Sequence, residues 1–414
     1  MDGNKRILNI LYIATSFPEP TKGATIYTDL AEALHEAGHD ITVAVSEQTR
    51  NKRYTEMKKE RGFDVLRIVT GNYYDVSFIE KGITTLKIPV MMRIGIKKYL
   101  RGRKFDFILF ESPPVTNAGL IAWAKKQFNC PAYLMLKDIF PQNAVDLGII
   151  KNNSILFRYF TSKEKKLYKT ADYIGCMSYA NKNYLLSSNT WLDLSKVEIF
   201  PNTIKADSNA SNVYREDFLM RKRYSIPTKA CVFLFGGNMG RPQSIELLCK
   251  AIKEFKDNIG IYFLFVGRGT ERHKLKDTIR KYNVTNALLI ENLPRDEYEQ
   301  IIKECDVGLI VLDPRFTIPN FPSRILSYMK YAKPVLAVTD KFSDLRILIE
   351  EAQCGEWVYS GDFEAFISKV NEIIKMSDFH IKGSNGLQYL HENFTIERSV
   401  KILEKHFEKH INEA

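Results

Sequence analysis

The chain has 414 residues, 45% hydrophobic and 26% charged, an ordinary globular composition with room for two domains of roughly 200 residues each. No apolar run approaches the roughly 18–20 residues of a membrane-crossing helix. The six cysteines are scattered without metal-type spacing, and Met1-Asp2-Gly3-Asn4-Lys5-Arg6 runs directly into a strand-like segment rather than a signal sequence.

The net charge is +11, and residues 1–205 hold 30 lysines and arginines against 20 acidic residues, whereas residues 206–414 are close to neutral. A basic first half calls for an anionic partner. Helix-turn-helix, zinc-finger and RNA-binding signatures are not evident, so nucleic acid is not expected. Cytoplasmic location follows from the same features, with thiols expected to be buried and reduced.

Residues 7–14 form an apolar run that predicts the first strand, and Pro18, Pro20 and Gly23 mark a loop after it. Ile26, Leu30, Ala33, Leu34 and Ala37 recur at helical spacing, and Gly38 sits where a C-terminal cap belongs. Residues 41–45, 107–110, 132–136, 173–177 and 197–200 predict further strands, with helices over 116–126 and 162–168. Such alternation implies βαβ units on a parallel sheet.

Residues 203–213 are small and polar, which suits a linker. Alternation then restarts. Strands are predicted at 232–235, 261–266, 287–289, 307–311, 334–338 and 356–358. The helices are 244–255, 271–282, 295–304, 324–329, 342–351 and 363–375. Residues 395–410 read as a last amphipathic helix, with Val400, Leu403 and Phe407 on one stripe. The expected fold class is α/β: two doubly wound, Rossmann-like domains facing each other across a cleft. The first spans 1–204 and the second 205–394, with the helix at 395–414 returning to the first.

Three turns in the second half carry the chemistry. They are Gly236-Gly237-Asn238-Met239-Gly240-Arg241, Gly267-Arg268-Gly269 and Pro322-Ser323-Arg324. Each follows a strand-like run and precedes helix-like sequence. Ligands bind outside the carboxyl ends of such strands, and glycines there let backbone N–H groups approach a phosphate. Arg241 and Arg324 are expected to converge on one diphosphate, since guanidinium forks match phosphate oxygens. Ser323 is a candidate N-cap, and Arg324 in the first helical turn opposes the helix dipole unless an anion is near. A tight turn, with glycine only relieving sterics, is the competing role for the two glycine loops, and solvated surface is the competing role for Pro322-Ser323-Arg324.

Taken in order, these segments resemble the family-4-type glycosyltransferases of GT-B fold, in the branch that assembles bacterial O-antigen and capsule. The resemblance rests on the 10–14 strand with Gly23-Ala24, on Gly38-His39-Asp40-Ile41-Thr42-Val43 and on Lys137-Asp138-Ile139-Phe140-Pro141-Gln142. It extends through Ile199-Phe200-Pro201-Asn202, the three turns above and Tyr331-Ala332-Lys333-Pro334-Val335. The family's paired glutamates would fall at Pro319 and Ser327, and neither is acidic. That departure leaves the contacts to donor sugar and ribose open. The family's basic pair on the first donor loop would align near Asn238 and Gln243, so Arg241 and Arg324 are expected to replace it.

The resemblance implies a nucleoside-diphosphate sugar as donor, with UDP the commonest nucleotide. The acceptor would be a polyprenyl-diphosphate-linked saccharide on the inner face of the cytoplasmic membrane, and the transfer would retain configuration. Gly236, Gly237, Asn238, Arg241, Gly267, Arg268, Gly269, Pro322, Ser323, Arg324 and Ser327 would hold the donor. Gly23, Ala24, Thr25, Glu111, Lys137 and Asp138 would hold the acceptor, although Thr25 equally suits an N-cap. Asp138, Arg241 and Arg324 are the candidate catalytic residues, Asp138 by accepting or orienting the acceptor hydroxyl. Helix capping is the alternative role for Asp138.

No cofactor is expected and no metal, since there is no DxD pair to hold a divalent cation. Residues 91–104 mix apolar and basic side chains, with Phe78-Ile79 nearby. A helix there is expected either to dock on an anionic bilayer or to turn lysines into solvent. Two other functions fit the same residues: a nucleotide-sugar epimerase of this fold, which needs no acceptor, and a non-catalytic partner subunit.

Overall fold

The computed structural model describes residues 6–51, 54–73, 76, 78–206, 218–291 and 293–413. The expected linker runs largely outside the described residues, which resume at Phe218. The chain divides into two compact units, Met1–Asn202 with Ile396–Ala414, and Thr203–Thr395.

In the first unit the opening apolar run becomes β1 (Asn9–Ala14), followed by α1 (Ile26–Glu36) and β2 (Asp40–Glu47). Next come β3 (Glu56–Glu60), β4 (Phe63–Val69), α2 (Phe78–Tyr99), β5 (Phe107–Ser112) and α3 (Ala118–Phe128). After them lie β6 (Ala132–Leu136), α4 (Gln142–Asp146), α5 (Ile155–Thr170), β7 (Tyr173–Cys176), α6 (Tyr179–Ser188) and β8 (Val197–Ile199). The sheet order is β3-β4-β2-β1-β5-β6-β7-β8. Only β3 runs antiparallel to its neighbour.

The period-two alternation of strand side chains sorts the core into two layers. Leu11 and Ile13 of β1 pack with α2, α3 and α5. Ile10, Tyr12 and Ala14 pack on the opposite face with α1. α2 was not delimited by pattern because it is apolar on two sides and holds Pro89. That proline has no N–H for the Thr85 carbonyl four residues back. The hydroxyl of Thr116 donates to that oxygen instead, at 3.4 Å.

The second unit contains α7 (Leu219–Arg223), β9 (Cys231–Gly236), α8 (Ile245–Glu254), β10 (Ile261–Val266) and α9 (Arg272–Lys281). It continues with β11 (Ala287–Ile290), α10 (Arg295–Glu304), β12 (Val307–Val311), α11 (Arg324–Lys330) and β13 (Val335–Thr339). It ends with α12 (Leu345–Ala352), β14 (Gly355–Tyr359), α13 (Phe363–Ile373) and α14 (Phe379–Asn393). The strand order is β11-β10-β9-β12-β13-β14, all parallel. These strands are apolar on both faces, as a sheet covered by helices on each side requires.

The last helix, α15 (Ile396–Glu413), belongs to the first unit. Its stripe of Val400, Leu403 and Phe407 enters the α1 side of that core. There Phe407 meets Phe107 edge-on at 4.6 Å. Strand order reverses direction between β1 and β5 in the first unit and between β9 and β12 in the second. Those are the switch points at whose carboxyl ends a doubly wound sheet leaves a crevice.

Candidate functional site

At the switch point of the second unit, β9 ends in Gly236, and Gly237 follows it. A Cβ at Gly236 would overlap the Tyr298 hydroxyl, and one at Gly237 would stand 3.5 Å from Nη2 of Arg324. The Arg324 guanidinium therefore lies against this turn. Its Cζ sits 4.4 Å from the centre of the Phe235 ring, an attraction between cation and ring face. Nη1 of Arg324 is buried and has no hydrogen-bond partner, and burial lowers the pKa of the group. Tyr328 braces the turn from below. Its hydroxyl donates to Leu234 O at 2.8 Å and accepts from Gly236 N–H at 3.2 Å. Burial pushes the Tyr298 hydroxyl up to about 12, against the opposing charge of Arg324.

Arg241 is placed differently from Arg324. Arg241 starts a single 3-10 turn (Arg241–Gln243), is exposed, and has its Nε 3.8 Å from Glu271. The reason is local. Ser244 adopts a left-handed conformation before α8, so the glycine loop does not feed straight into a helix. Asn238 is also held sideways, with Nδ2 donating to Gln243 at 3.3 Å.

Gly267 and Gly269 carry a structural role. Both have positive φ, and a Cβ on either would overlap backbone of Gly237 or Met239. Gly237 N–H donates to Val266 O at 2.8 Å and Met239 N–H to Arg268 O at 2.7 Å. The two loops thus continue the β9–β10 pairing beyond the strands, and glycine is required because one backbone lies on the other. Arg268 is exposed, 3.7 Å from Glu291. Ser323 occupies the N-cap position of α11 in helical conformation and its side chain makes no capping bond, which corrects that expectation. Pro322 and Ser327 are half-buried beside it.

At the switch point of the first unit, Glu111 is buried at the end of β5. It accepts from the Tyr12 hydroxyl at 2.6 Å and from Thr15 N–H at 2.7 Å. Burial pushes Glu111 up to about 7, opposed by those bonds and by the charge of Lys137. Burial pulls Lys137 down to about 7, opposed by Glu111. The Lys137 ammonium donates to Asn202 Oδ1 at 2.9 Å and lies 5.2 Å from the Phe200 ring centre.

Asp138, the next residue, does not join them. It neighbours Tyr168 of α5, on the opposite layer. Its Oδ2 accepts from Asn143 Nδ2 at 2.6 Å. Its Oδ1 and the Asn143 Oδ1 are both buried without a partner. Burial raises Asp138 to about 6, opposed by bonds from Ile139 N–H and Asn143. Asp138 is therefore neither a helix cap nor part of the Glu111 cluster. Thr25 closes a reciprocal capping box with Thr28 at the start of α1. Gly23 has φ 119° and its carbonyl accepts from Arg61 at 2.6 Å, with Ala24 half-buried between them.

Sequence reasoning missed Tyr12, Thr15, Asn143, Tyr298 and Tyr328. All but Thr15 and Asn143 sit inside apolar or amphipathic runs where an aromatic reads as core. Asn202 had been visible as the end of the Pro-Asn segment.

Two doubly wound units, each with polar groups gathered at its sheet's switch point, define an α/β protein of the class that takes ligands outside its strand ends. The family model described as "Glycosyl transferases group 1" matches residues 217–385, and "Glycosyltransferase Family 4" matches residues 23–208. The chain belongs to these glycosyltransferases. It is 25% identical over 305 residues to the probable glycosyltransferase WbjE of Pseudomonas aeruginosa, across 73% of this chain and 74% of that protein. Its structure resembles sucrose-phosphate synthase from Thermosynechococcus elongatus, with a TM-score of 0.76 at 15% identity over 98% of this chain and 100% of that one. Anabaena Alr3699/HepE in complex with UDP and glucose gives 0.67 at 13% identity, over 97% and 100%. These two likenesses establish the GT-B fold.

Proposed function

We propose that the protein transfers a sugar from a nucleoside-diphosphate donor, held by the second unit, to a saccharide on a lipid diphosphate, held by the first. The observation that carries this reading is the buried, unpartnered Nη1 of Arg324 beside the Gly236-Gly237 turn. A buried cation without a carboxylate is costly, and a diphosphate oxygen at this turn would complete it. Support comes from HepE, which has been solved with UDP, and from the glycosyltransferase relative in Pseudomonas.

In the proposed transfer the acceptor oxygen forms a bond to the sugar's anomeric carbon as the bond from that carbon to the diphosphate oxygen breaks. The hydroxyl proton passes to the departing diphosphate. Arg324 and the loop N–H groups stabilise the charge that develops there. In this reading positive charge on the protein does the work for which other sites use a divalent cation. Asp138 is the better of the two carboxylates for orienting the acceptor hydroxyl, because Glu111 already uses both oxygens, whereas Asp138 keeps Oδ1 unpaired. Retention of configuration and an O-antigen or capsule product belong to this proposal. So does work at the inner membrane face.

The test is transfer of labelled sugar from UDP-sugars to a polyprenyl-diphosphate saccharide by the purified chain, alongside thermal shift with nucleoside diphosphates. Acceptor-dependent turnover supports the reading. Donor conversion without acceptor would instead identify an epimerase. Absence of both turnover and nucleotide binding would sink the proposal.

A further inference from the structure

The first unit carries opposite charge on the helices of its two layers. On one face of the sheet, α1 and α15 hold four lysines and arginines against seven acidic residues. On the other, α2, α3 and α5 hold twelve against two. From Lys81 to Phe105 the sequence contains no acidic residue at all. Stability of the fold does not demand such segregation, since each layer needs only an apolar inner face.

The same basic layer exposes apolar side chains. Thr84, Ile88 and Met92 of α2 are buried against the sheet. On the reverse of that helix Ile83, Leu86, Val90 and Ile94 follow one another at spacings of three, four and four residues. They are 50–58% exposed. Lys87, Arg93, Lys97 and Lys98 stand exposed beside them. α2 packs on α3 and α3 on α5. At the start of α5, Ile155 is 89% exposed, with Leu156 and Tyr159 partly so. Along α5, Arg158, Lys165 and Lys169 recur at helical spacing on its outer side. A helix with a second, outward apolar stripe edged by cations suits an interfacial position. No helix among the described residues is long and apolar enough to cross a membrane.

We infer that the outer face of α2, α3 and α5 docks on an anionic phospholipid bilayer, with the α2 stripe and the start of α5 entering the headgroup boundary and the lysines and arginines contacting lipid phosphates. Charge complementarity favours this occupant: the patch is basic over three helices and carries exposed apolar side chains, and a second copy meeting it by the same face would bring like charge against like. The inference deepens the lipid-linked acceptor reading by placing the bilayer, and its evidence is independent of catalysis. The side chains of Phe78 and Ile79 lie outside the described residues, so the α2 stripe begins here at Ile83.

The experiment is co-sedimentation of the full chain with vesicles of phosphatidylcholine alone and of phosphatidylcholine with about one third phosphatidylglycerol. Nucleotide-induced thermal shift is measured on the same samples. Binding is expected to be at least ~10-fold stronger to the anionic vesicles and to fall at about 0.5 M salt, where exposed charges are screened. Leu86→Glu with Ile94→Glu should reduce binding about 10-fold while folding and nucleotide response stay unchanged. Lys165→Glu with Lys169→Glu should weaken only the part of binding that depends on phosphatidylglycerol. Equal pelleting with both vesicle types overturns the inference. So does full binding by the Leu86/Ile94 variant, or a lipid-free dimer that this variant dissolves. Loss of nucleotide response with intact vesicle binding would count against the transfer reading alone.

Discussion

At the switch point of the second sheet, a guanidinium rests on a phenyl ring with one nitrogen unsatisfied. At the switch point of the first, Glu111 and Lys137 stand near enough to oppose one another's pKa shifts, and Tyr12, Thr15 and Asn202 use their remaining bonds. The first arrangement is electrostatically incomplete and calls for an anion. The second has its carboxylate oxygens and its ammonium already bonded, and in the proposed transfer it would meet the hydroxyls of the acceptor saccharide rather than its diphosphate. On the proposed reading, two sheets of the same construction would sort two kinds of substrate by whether their strand-end polar groups are already bonded.

The sharpest way to break this comparison is Arg324→Ala. Transfer should fall roughly 10²–10³-fold, the scale of losing one charged contact to a developing oxyanion. Stability in urea should hold or rise slightly, because the removed charge is unpaired and its loss strands no carboxylate. Wild-type turnover would show that the guanidinium is not waiting for a diphosphate.

Asp138→Asn comes next. Turnover should drop about 10²-fold. The wild-type pH profile should rise through about pH 6, where Asp138 loses its proton. The carboxylate is the form that accepts from a hydroxyl, so activity is lost on the acid side and not the basic side. The asparagine variant should lack that limb. A limb that persists in it would assign the titration elsewhere.

Gly267→Ala sharpens the claim that the glycine loops are backbone joints. With φ at 147° and Gly237 O in the way, the substitution should destabilise the unit by about 2–4 kcal/mol in urea titration. A near-neutral result would mean that the loops separate freely. The smallest effect belongs to Arg241→Ala. A 3.8 Å pair whose arginine is exposed is worth at most about 1 kcal/mol, and turnover should stay within about threefold. A loss comparable to that at Arg324 would restore Arg241 to the diphosphate site.

Much of the scaffold was legible because buried parallel strands are short, dense apolar runs between glycines and prolines. Residues 132–136, 261–266 and 307–311 coincide with β6, β10 and β12. Among the segments that escaped were β3, an edge strand of Glu-Met-Lys-Lys-Glu, β4 beside it, and the helices α6 and α14. α2 escaped as a delimited helix because apolar side chains on two faces blur a 3.6-residue period. At the sites, glycine turns and Arg324 were visible as unusual residues at strand ends. Their partners were not, since Tyr328 meets Gly236 from 92 positions away and Tyr12 meets Glu111 from 99.

Local order along the chain determined by itself that there would be two doubly wound sheets and where their loops would carry glycine and charge, because apolar periodicity and turn chemistry act over a few residues. Which charges found partners was decided only by tertiary structure. Arg241 met Glu271, Lys137 met Asn202, Asp138 crossed to the other layer, and Arg324 kept a nitrogen unpaired. Those outcomes depend on strand register and on the face each side chain takes, and neither is written into neighbouring residues.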